Sequence, residues 1–147
     1  MPTTTTINFY LDDGAILPTR AYPDDAGLDL YAPHHALIPA YESYIFDTGV
    51  HVQIPRGYAG ILVSKSGLNI NHNLTSTGLI DSSYTGSIRV KLYNNGPYTQ
   101  RIDAGRKISQ LVIVPFKKFE PKQVFKPLES DSRGDRGFGS SDKEVPK

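Results

Sequence analysis

The chain has 147 residues, with 16 lysines and arginines, 15 aspartates and glutamates, and no cysteine. This length suits one domain, and a formal charge of +1 gives no general basic field for coating nucleic acid or a membrane surface. The absence of cysteine excludes disulfides, zinc ribbons, iron–sulfur clusters and thiol nucleophiles.

The predicted elements are short strands separated by turn residues, because period-2 alternation recurs and 13 glycines and 11 prolines work against long helices. The strands are predicted at residues 7–11, 36–38, 43–46, 48–54, 59–63, 79–80, 87–94, 108–114 and 123–126. Only residues 66–71 favour a helical turn. The pattern is typical of an all-β sandwich or barrel.

Signals for export or membrane insertion are absent from the sequence. Residues 1–6 are rich in threonine and lack the basic and apolar regions of a signal peptide. No apolar run approaches the roughly 20 residues that a membrane helix needs. We therefore expect a cytoplasmic protein that binds neither membranes nor nucleic acid directly.

The composition changes near residue 128. From Glu129 to the end the large apolar residues are Phe138 and Val145, in a segment otherwise made mostly of Ser, Gly, Asp, Arg, Glu and Lys. Such a segment buries too little surface to offset its ordering entropy. We predict a β domain over residues 1–128 and a mobile arm over residues 129–147. The arm is either a plain disordered tail or a glycine-rich phosphate-binding segment around Phe138.

Two aspartates lie within or directly after apolar strand-like segments, and they are candidate catalytic or metal-binding residues. Asp29 lies between Leu28 and Leu30, and Asp81 follows Leu79 and Ile80. An aspartate held partly buried after an apolar pair can act as a general base, as we expect for Asp81. Each also has an ordinary interpretation, as an exposed strand residue for Asp29 and as a turn residue for Asp81.

The segment Ser64–Gly67 places small residues and one lysine between an apolar strand and the predicted helical turn. This arrangement can present N–H groups, hydroxyls and a cation to an anion. It lacks the GxxxxGK[ST] pattern of a P-loop, so an ordinary loop with an exposed lysine is the alternative.

Five segments in a fixed order give a more specific signal than any of them alone. They are AGLDLYA, SKSGL, GLIDSSYTGSIRVKLYN, GRKISQL and RGDRGFGSS, starting at Ala26, Ser64, Gly78, Gly105 and Arg133. In content and order they resemble the five motifs of the homotrimeric dUTPase family, over residues 26–141.

The resemblance implies a distorted jelly-roll β-barrel that forms a homotrimer with shared active sites. It also implies Mg²⁺-dependent hydrolysis of dUTP to dUMP and pyrophosphate, which limits uracil incorporation into DNA and supplies dUMP for dTMP synthesis. Asp81 would be the catalytic base that activates the attacking water. Asp29 would be the metal residue, in contact with Mg²⁺ through water.

The resemblance further implies the substrate contacts. Tyr84 would pack under the deoxyribose, and a hairpin from about residue 75 to residue 89 would read uracil with its main chain. The arm would close over the nucleotide as a lid, with Phe138 stacked on uracil. The implied substrate-binding residues are Lys65, Ser66, Gly67, Thr75, Gly78, Leu79, Ile80, Tyr84, Arg89, Gln110, Arg133, Phe138, Gly139 and Ser140.

The chain departs from the family pattern in three places. Lys65 stands where the family commonly has Arg, which keeps the charge but loses the bidentate fork. Arg106–Lys107 replaces an acidic–basic pair, and Asn71–Asn73 replaces a stretch similar to Lys-His-Gly.

Two other functions are compatible with the scaffold. One is a dCTP deaminase of the same superfamily, although deamination needs a general acid–base Glu, and the sequence has none between Glu42 and Glu120. The other is a non-catalytic nucleotide-binding regulator, because fold alone does not fix function.

Overall fold

The computed structural model describes residues 5–142 and 144–146, and its regular structure is almost entirely strand. The single helix of this part, α1, spans Ser66–His72. The strands are β1 Asn8–Leu11, β2 Gly27–Tyr31, β3 Ala36–Ile38, β4 Ser43–Asp47, β5 Val50–Gln53, β6 Tyr58–Val63, β7 Leu74–Thr75, β8 Thr77–Ile80, β9 Arg89–Asn94, β10 Gln100–Ile102 and β11 Lys107–Pro115. Within these described residues, α1 is too short to span a membrane.

The strands pair antiparallel in four small sheets. The largest has the order β2-β11-β6-β8, and a three-stranded sheet has the order β4-β9-β7. Two further pairs, β1-β5 and β10-β3, complete the set. Because β8 is the last strand of its sheet, it pairs with β6 along one edge, and no described strand pairs with its other edge.

The sheets enclose one apolar core. Alternation along β9 and the residue before it buries Ile88, Val90 and Leu92, as the sequence predicts. The same period buries Val50 and Val52 on β5. Period-2 burial of one strand face is how an antiparallel sheet covers a core while its other face stays accessible, so the all-β prediction is confirmed.

The element predictions differ from the structure in four places. Residues 123–126 form no strand, and Val124 and Phe125 are exposed, because no strand edge lies beside them to supply hydrogen bonds. The strand β2 was not among the predicted strands, because only Leu28 and Leu30 around Asp29 showed the alternation. The strands β7 and β10 were not predicted either, since two or three residues are too few to show a period. The last strand ends at Pro115, and the described residues after it are mostly exposed, so the predicted domain boundary at residue 128 stays a prediction.

Candidate active site

The edge strand β8 and the loop after it form a cavity of about 290 Å³. Six of the residues singled out by sequence lie in its wall, and Leu62, Thr77 and Ile88 complete it. The predicted residues in the wall are Gly78, Leu79, Ile80, Asp81, Tyr84 and Arg89. The volume and the mixed apolar and polar lining suit a small ligand.

Gly78 in this wall and Gly86 in the loop beside it leave little space for a Cβ. A Cβ on Gly78 would press against the side chain of Leu62 on the paired strand. A Cβ on Gly86 would overlap the hydroxyl of Tyr84, which donates to the carbonyl oxygen of Ser87 at 2.8 Å. The two glycines therefore leave room for the side chains of Leu62 and Tyr84 in their observed positions.

Asp81 lies at the start of the loop, where its backbone carbonyl accepts the N–H of Tyr84 at 3.0 Å. Its side chain is exposed rather than partly buried, so the expectation of a buried base is wrong. Among the described residues nothing hydrogen-bonds or ion-pairs with its carboxylate. The carboxylate is therefore available to a water molecule or a substrate.

Asp29 has the opposite environment. It is buried in the middle of β2, and each of its carboxylate oxygens meets a lysine: Oδ1 lies 2.6 Å from Lys65 Nζ, and Oδ2 lies 3.0 Å from Lys107 Nζ. Burial alone would raise the pKa of this carboxyl, but the hydrogen bonds and charges of the two lysines outweigh it and lower the pKa. Asp29 is thus a paired carboxylate that leaves one net positive charge beside it.

Lys107 is a functional candidate that the site prediction missed. Its ammonium reaches Asp29 because β11 pairs with β2, and the pairing places Gln110 opposite Asp29 and Lys107 opposite Tyr31, with a bulge between. The ion pair with Asp29 also raises the pKa of Lys107. The sequence showed an extra basic residue here, but the contact depends on a strand register that the residues alone do not reveal.

The side chain of Gln110 contacts the loop between β6 and α1. Its side-chain amide donates to the Ser64 carbonyl at 3.0 Å, and its carbonyl end lies over Gly27, where any Cβ would collide with it. The glycine of the first motif therefore makes room for a glutamine that fixes the loop before Lys65. The predicted polar contact of Gln110 is, in this structure, a contact with the protein.

The predicted metal residue, Asp29, is engaged by two lysines. Each of its oxygens accepts from one ammonium group, which occupies one of the lone-pair positions of that oxygen and places positive charge beside the carboxylate. The described residues contain no cluster of three or more His, Asp or Glu side chains suited to a metal ion. The contact of Asp29 with Mg²⁺ through water therefore stays a prediction.

The remaining predicted residues lie outside these two groups. Thr75 accepts the side chain of Asn95, and Ser66 and Gly67 begin helix α1, whose start has no side-chain cap. In the arm, the hydrogen bonds of Arg133 and Ser140 stay within residues 130–142, and Phe138 is fully exposed. The single chain thus contains a cavity and a lysine pair, and the described hydrogen bonds of the arm reach neither.

Comparison with known proteins places the chain in a family. The model of the dUTPase family matches residues 13–142. The chain belongs to the dUTPase family. The deoxyuridine 5'-triphosphate nucleotidohydrolase of Clostridium acetobutylicum is 38% identical over 134 residues, which cover 89% of this chain and 92% of that protein.

Solved structures of this family share the fold. The dUTPase of Staphylococcus bacteriophage 80alpha, solved with dUPNHPP, has a TM-score of 0.86 and 31% identity, over 94% of this chain and 99% of that one. A mutant dUTPase from phage phi11 of S. aureus, with a coordinated structural Mg(II) ion, has a TM-score of 0.77 and 31% identity, over 83% of this chain and 98% of that one. The jelly-roll prediction is confirmed by this likeness.

Proposed function

We propose that this chain hydrolyses dUTP to dUMP and pyrophosphate, by attack of an Asp81-activated water on the α-phosphorus. The observation that carries the proposal is the exposed carboxylate of Asp81, which no described residue engages, at a cavity that also contains Tyr84 and the edge of β8. A carboxylate that no protein group occupies can accept a proton from water, which is the role of a general base. Membership of the dUTPase family supports dUTP as the substrate.

The edge strand β8 is suited to reading uracil. Its outer edge has no strand partner among the described residues, so main-chain N–H and C=O groups of Gly78, Leu79 and Ile80 can pair with the O4, N3–H and O2 edge of the base. Cytosine reverses two of these partners, which leaves buried groups unpaired and disfavours its binding. The ring of Tyr84 packs under the deoxyribose and leaves no space for a ribose 2′-hydroxyl.

Positive charge near the substrate comes from the loop after β6. Lys65 and Lys107 share Asp29, so the three side chains carry one net positive charge. That charge, with Ser66 and Gly67 at the uncapped start of α1, suits a triphosphate. We propose that Mg²⁺ enters as a partner of the triphosphate oxygens, because no residue described in the structure offers it a ligand set. When bound there it would neutralise phosphate charge.

The separation of the arm from the cavity supports a site completed by other copies of the chain. The arm residues Arg133, Phe138, Gly139 and Ser140 make their hydrogen bonds within the arm, and the Phe138 ring has no packing partner among the described residues. An exposed ring flanked by glycines suits a lid that stacks on a base. We propose a homotrimer in which the arm closes over the site of a neighbouring subunit.

A panel of nucleotides tests the function directly. The chain and its Asp81→Asn variant are incubated with Mg²⁺ and dUTP, dCTP, dTTP or UTP, and pyrophosphate and ammonia are measured. We expect pyrophosphate from dUTP alone, with loss of nearly all release in the variant. Ammonia from dCTP would show the deaminase, and turnover of no nucleotide would show a binding protein.

A further inference from the structure

His51 on β5 joins two segments that are far apart in the sequence. Its Nδ1 lies 2.7 Å from the carbonyl oxygen of Thr85, in the loop that carries Asp81 and Tyr84. Its Nε2 lies 3.1 Å from each carboxylate oxygen of Asp12, which follows β1. The imidazole is partly buried, and the ring of Tyr10 on the paired strand packs edge-on against it at 5.4 Å.

Both partners of this imidazole are hydrogen-bond acceptors. A neutral imidazole carries one N–H and can donate to only one of them, whereas the imidazolium carries two and satisfies both. The hydrogen bond to the Thr85 carbonyl and the one to Asp12 raise the pKa of His51, and the charge of Asp47 acts in the same direction. The charged form is therefore the one that this geometry favours.

The loop that His51 contacts has few other attachments. Within the described part of the chain, the hydrogen bonds of residues 82–86 other than the one to His51 connect Tyr84 with Asp81 and Ser87, inside the loop itself. The neighbouring residues are held from a different side: Ser87 contacts Asp47 and Gly49, and Ile88 bonds to Thr48 and Val50. The Thr85 carbonyl is thus the point at which the middle of the loop is tied to the barrel.

We infer that His51 is a positioning residue for the nucleoside cavity. As an imidazolium it bridges Asp12 and the Thr85 carbonyl, and so fixes the loop that presents Asp81 and Tyr84 to the ligand. Loss of one N–H releases either the loop or Asp12, and the ligand must then order the loop when it binds. This inference rests on the proposed function only in naming dUTP as the ligand.

The direction of the pH effect follows from the chemistry of the bridge. His51 is an imidazolium at pH values below its raised pKa, where both hydrogen bonds are made. As the pH rises through that pKa, one bond is lost and affinity for the nucleotide falls. Because the loss of a hydrogen bond changes an equilibrium by about two- to tenfold, the Kd for a non-hydrolysable dUTP analogue should rise by about that factor.

The experiment measures this Kd by calorimetry between about pH 5.5 and 9 for four proteins, with His51 followed by NMR in the same range. These are the wild type, His51→Gln, Asp12→Asn and the control His35→Gln. The glutamine side chain of the His51→Gln variant does not titrate, so the affinity of that variant should be weak and without the step. Without the Asp12 charge the step should move to lower pH. His35 is exposed, and its ring makes no hydrogen bond within the described residues, so its variant should behave as the wild type.

The backbone amides of residues 85 and 86 provide a second readout. Their NMR signals should shift with the same midpoint as the His51 ring, because the bridge and the loop change together. A wild-type Kd without a step at the His51 midpoint, or an unchanged step in His51→Gln, overturns the inference. Because binding of the analogue is independent of turnover, a chain that shows the step yet releases no pyrophosphate from dUTP contradicts the proposed hydrolysis and leaves the role of His51 supported.

Discussion

Asp29 and Asp81 occupy similar sequence settings and opposite structural ones. Each sits beside apolar residues at a glycine-containing strand, but Asp29 is buried between two ammonium groups whereas Asp81 is exposed and, among the described residues, unengaged. Both β2 and β8 are outer strands of the four-stranded sheet, so the difference arises from position along the strand: Asp29 lies within β2, opposite Gln110 of β11, whereas Asp81 comes after the last residue of β8, in the loop. A paired carboxylate organises its neighbours, and an unpaired one is available for chemistry.

The largest expected effect comes from Asp81. Replacing it by Asn keeps the shape of the side chain but removes the base, so kcat for dUTP should fall by about 10²- to 10⁴-fold. The free energy of unfolding should stay within about 0.5 kcal/mol of the wild type, because the side chain is exposed and makes no hydrogen bond or ion pair with described residues. Pyrophosphate release and urea denaturation measure the two quantities. Near-normal turnover would contradict the assignment.

Asp29→Asn should show the converse behaviour. The amide removes the charge of a buried carboxylate that pairs with the partly exposed Lys65 and Lys107, so the free energy of unfolding should fall by about 1–3 kcal/mol. The KM for dUTP should also rise, because Lys65 is no longer held. Asp81→Asn is the matched control for stability, since it makes the same change at an exposed site. Equal stabilities of the two variants would contradict the structural role of Asp29.

Phe138 is expected to contribute to nucleotide binding at the cavity that contains Asp81, and not to the ion pairs of Lys65 and Lys107. Phe138→Ala removes the ring proposed to stack on the base, so the binding of a non-hydrolysable dUTP analogue should weaken by about 1–3 kcal/mol. The free energy of unfolding should not change, because the ring is fully exposed. Calorimetric titration of both proteins measures the affinity. An unchanged affinity would show that the arm does not close on the base.

The pH dependence of stability gives a smaller effect that separates the two aspartates further. The lysines lower the folded-state pKa of Asp29, so its contribution is complete above the ordinary carboxyl value and is lost as the pH falls through the folded value. The stability difference between the wild type and Asp29→Asn should therefore stay constant above about pH 5 and shrink as the pH falls below about 4. Urea denaturation across this range measures it, and a constant difference would show that the charge of Asp29 is unimportant.

Much of the fold was predictable because alternation is a local signal. The buried series Ile88, Val90 and Leu92 follows from polar residues at the intervening positions. The strands β7 and β10 escaped prediction because they are too short to display a period, and their pairing with β9 and β3 depends on distant segments. The false strand at residues 123–126 has suitable residues but no partner edge.

The site was predictable in part. The motif of residues 78–89 lies in continuous sequence, so most of the lining of the cavity could be named in advance. The expected hairpin is not formed, because β8 pairs with β6 and β9 pairs with β4 and β7. The pairing of Asp29 with Lys107 and the bridge from His51 to Thr85 could not, because both depend on register between strands that are distant in sequence. Charge alone indicated a basic surface near Lys65 but not its carboxylate partner.

The most direct test compares kcat at saturating dUTP for Asp81→Asn and Asp29→Asn in one assay of pyrophosphate release. The account predicts that Asp81→Asn loses about 10²- to 10⁴-fold while Asp29→Asn stays within about tenfold of the wild type, with its main change in KM. Loss of kcat in Asp29→Asn as large as that in Asp81→Asn, or a nearly active Asp81→Asn, would contradict the division of roles between the two carboxylates.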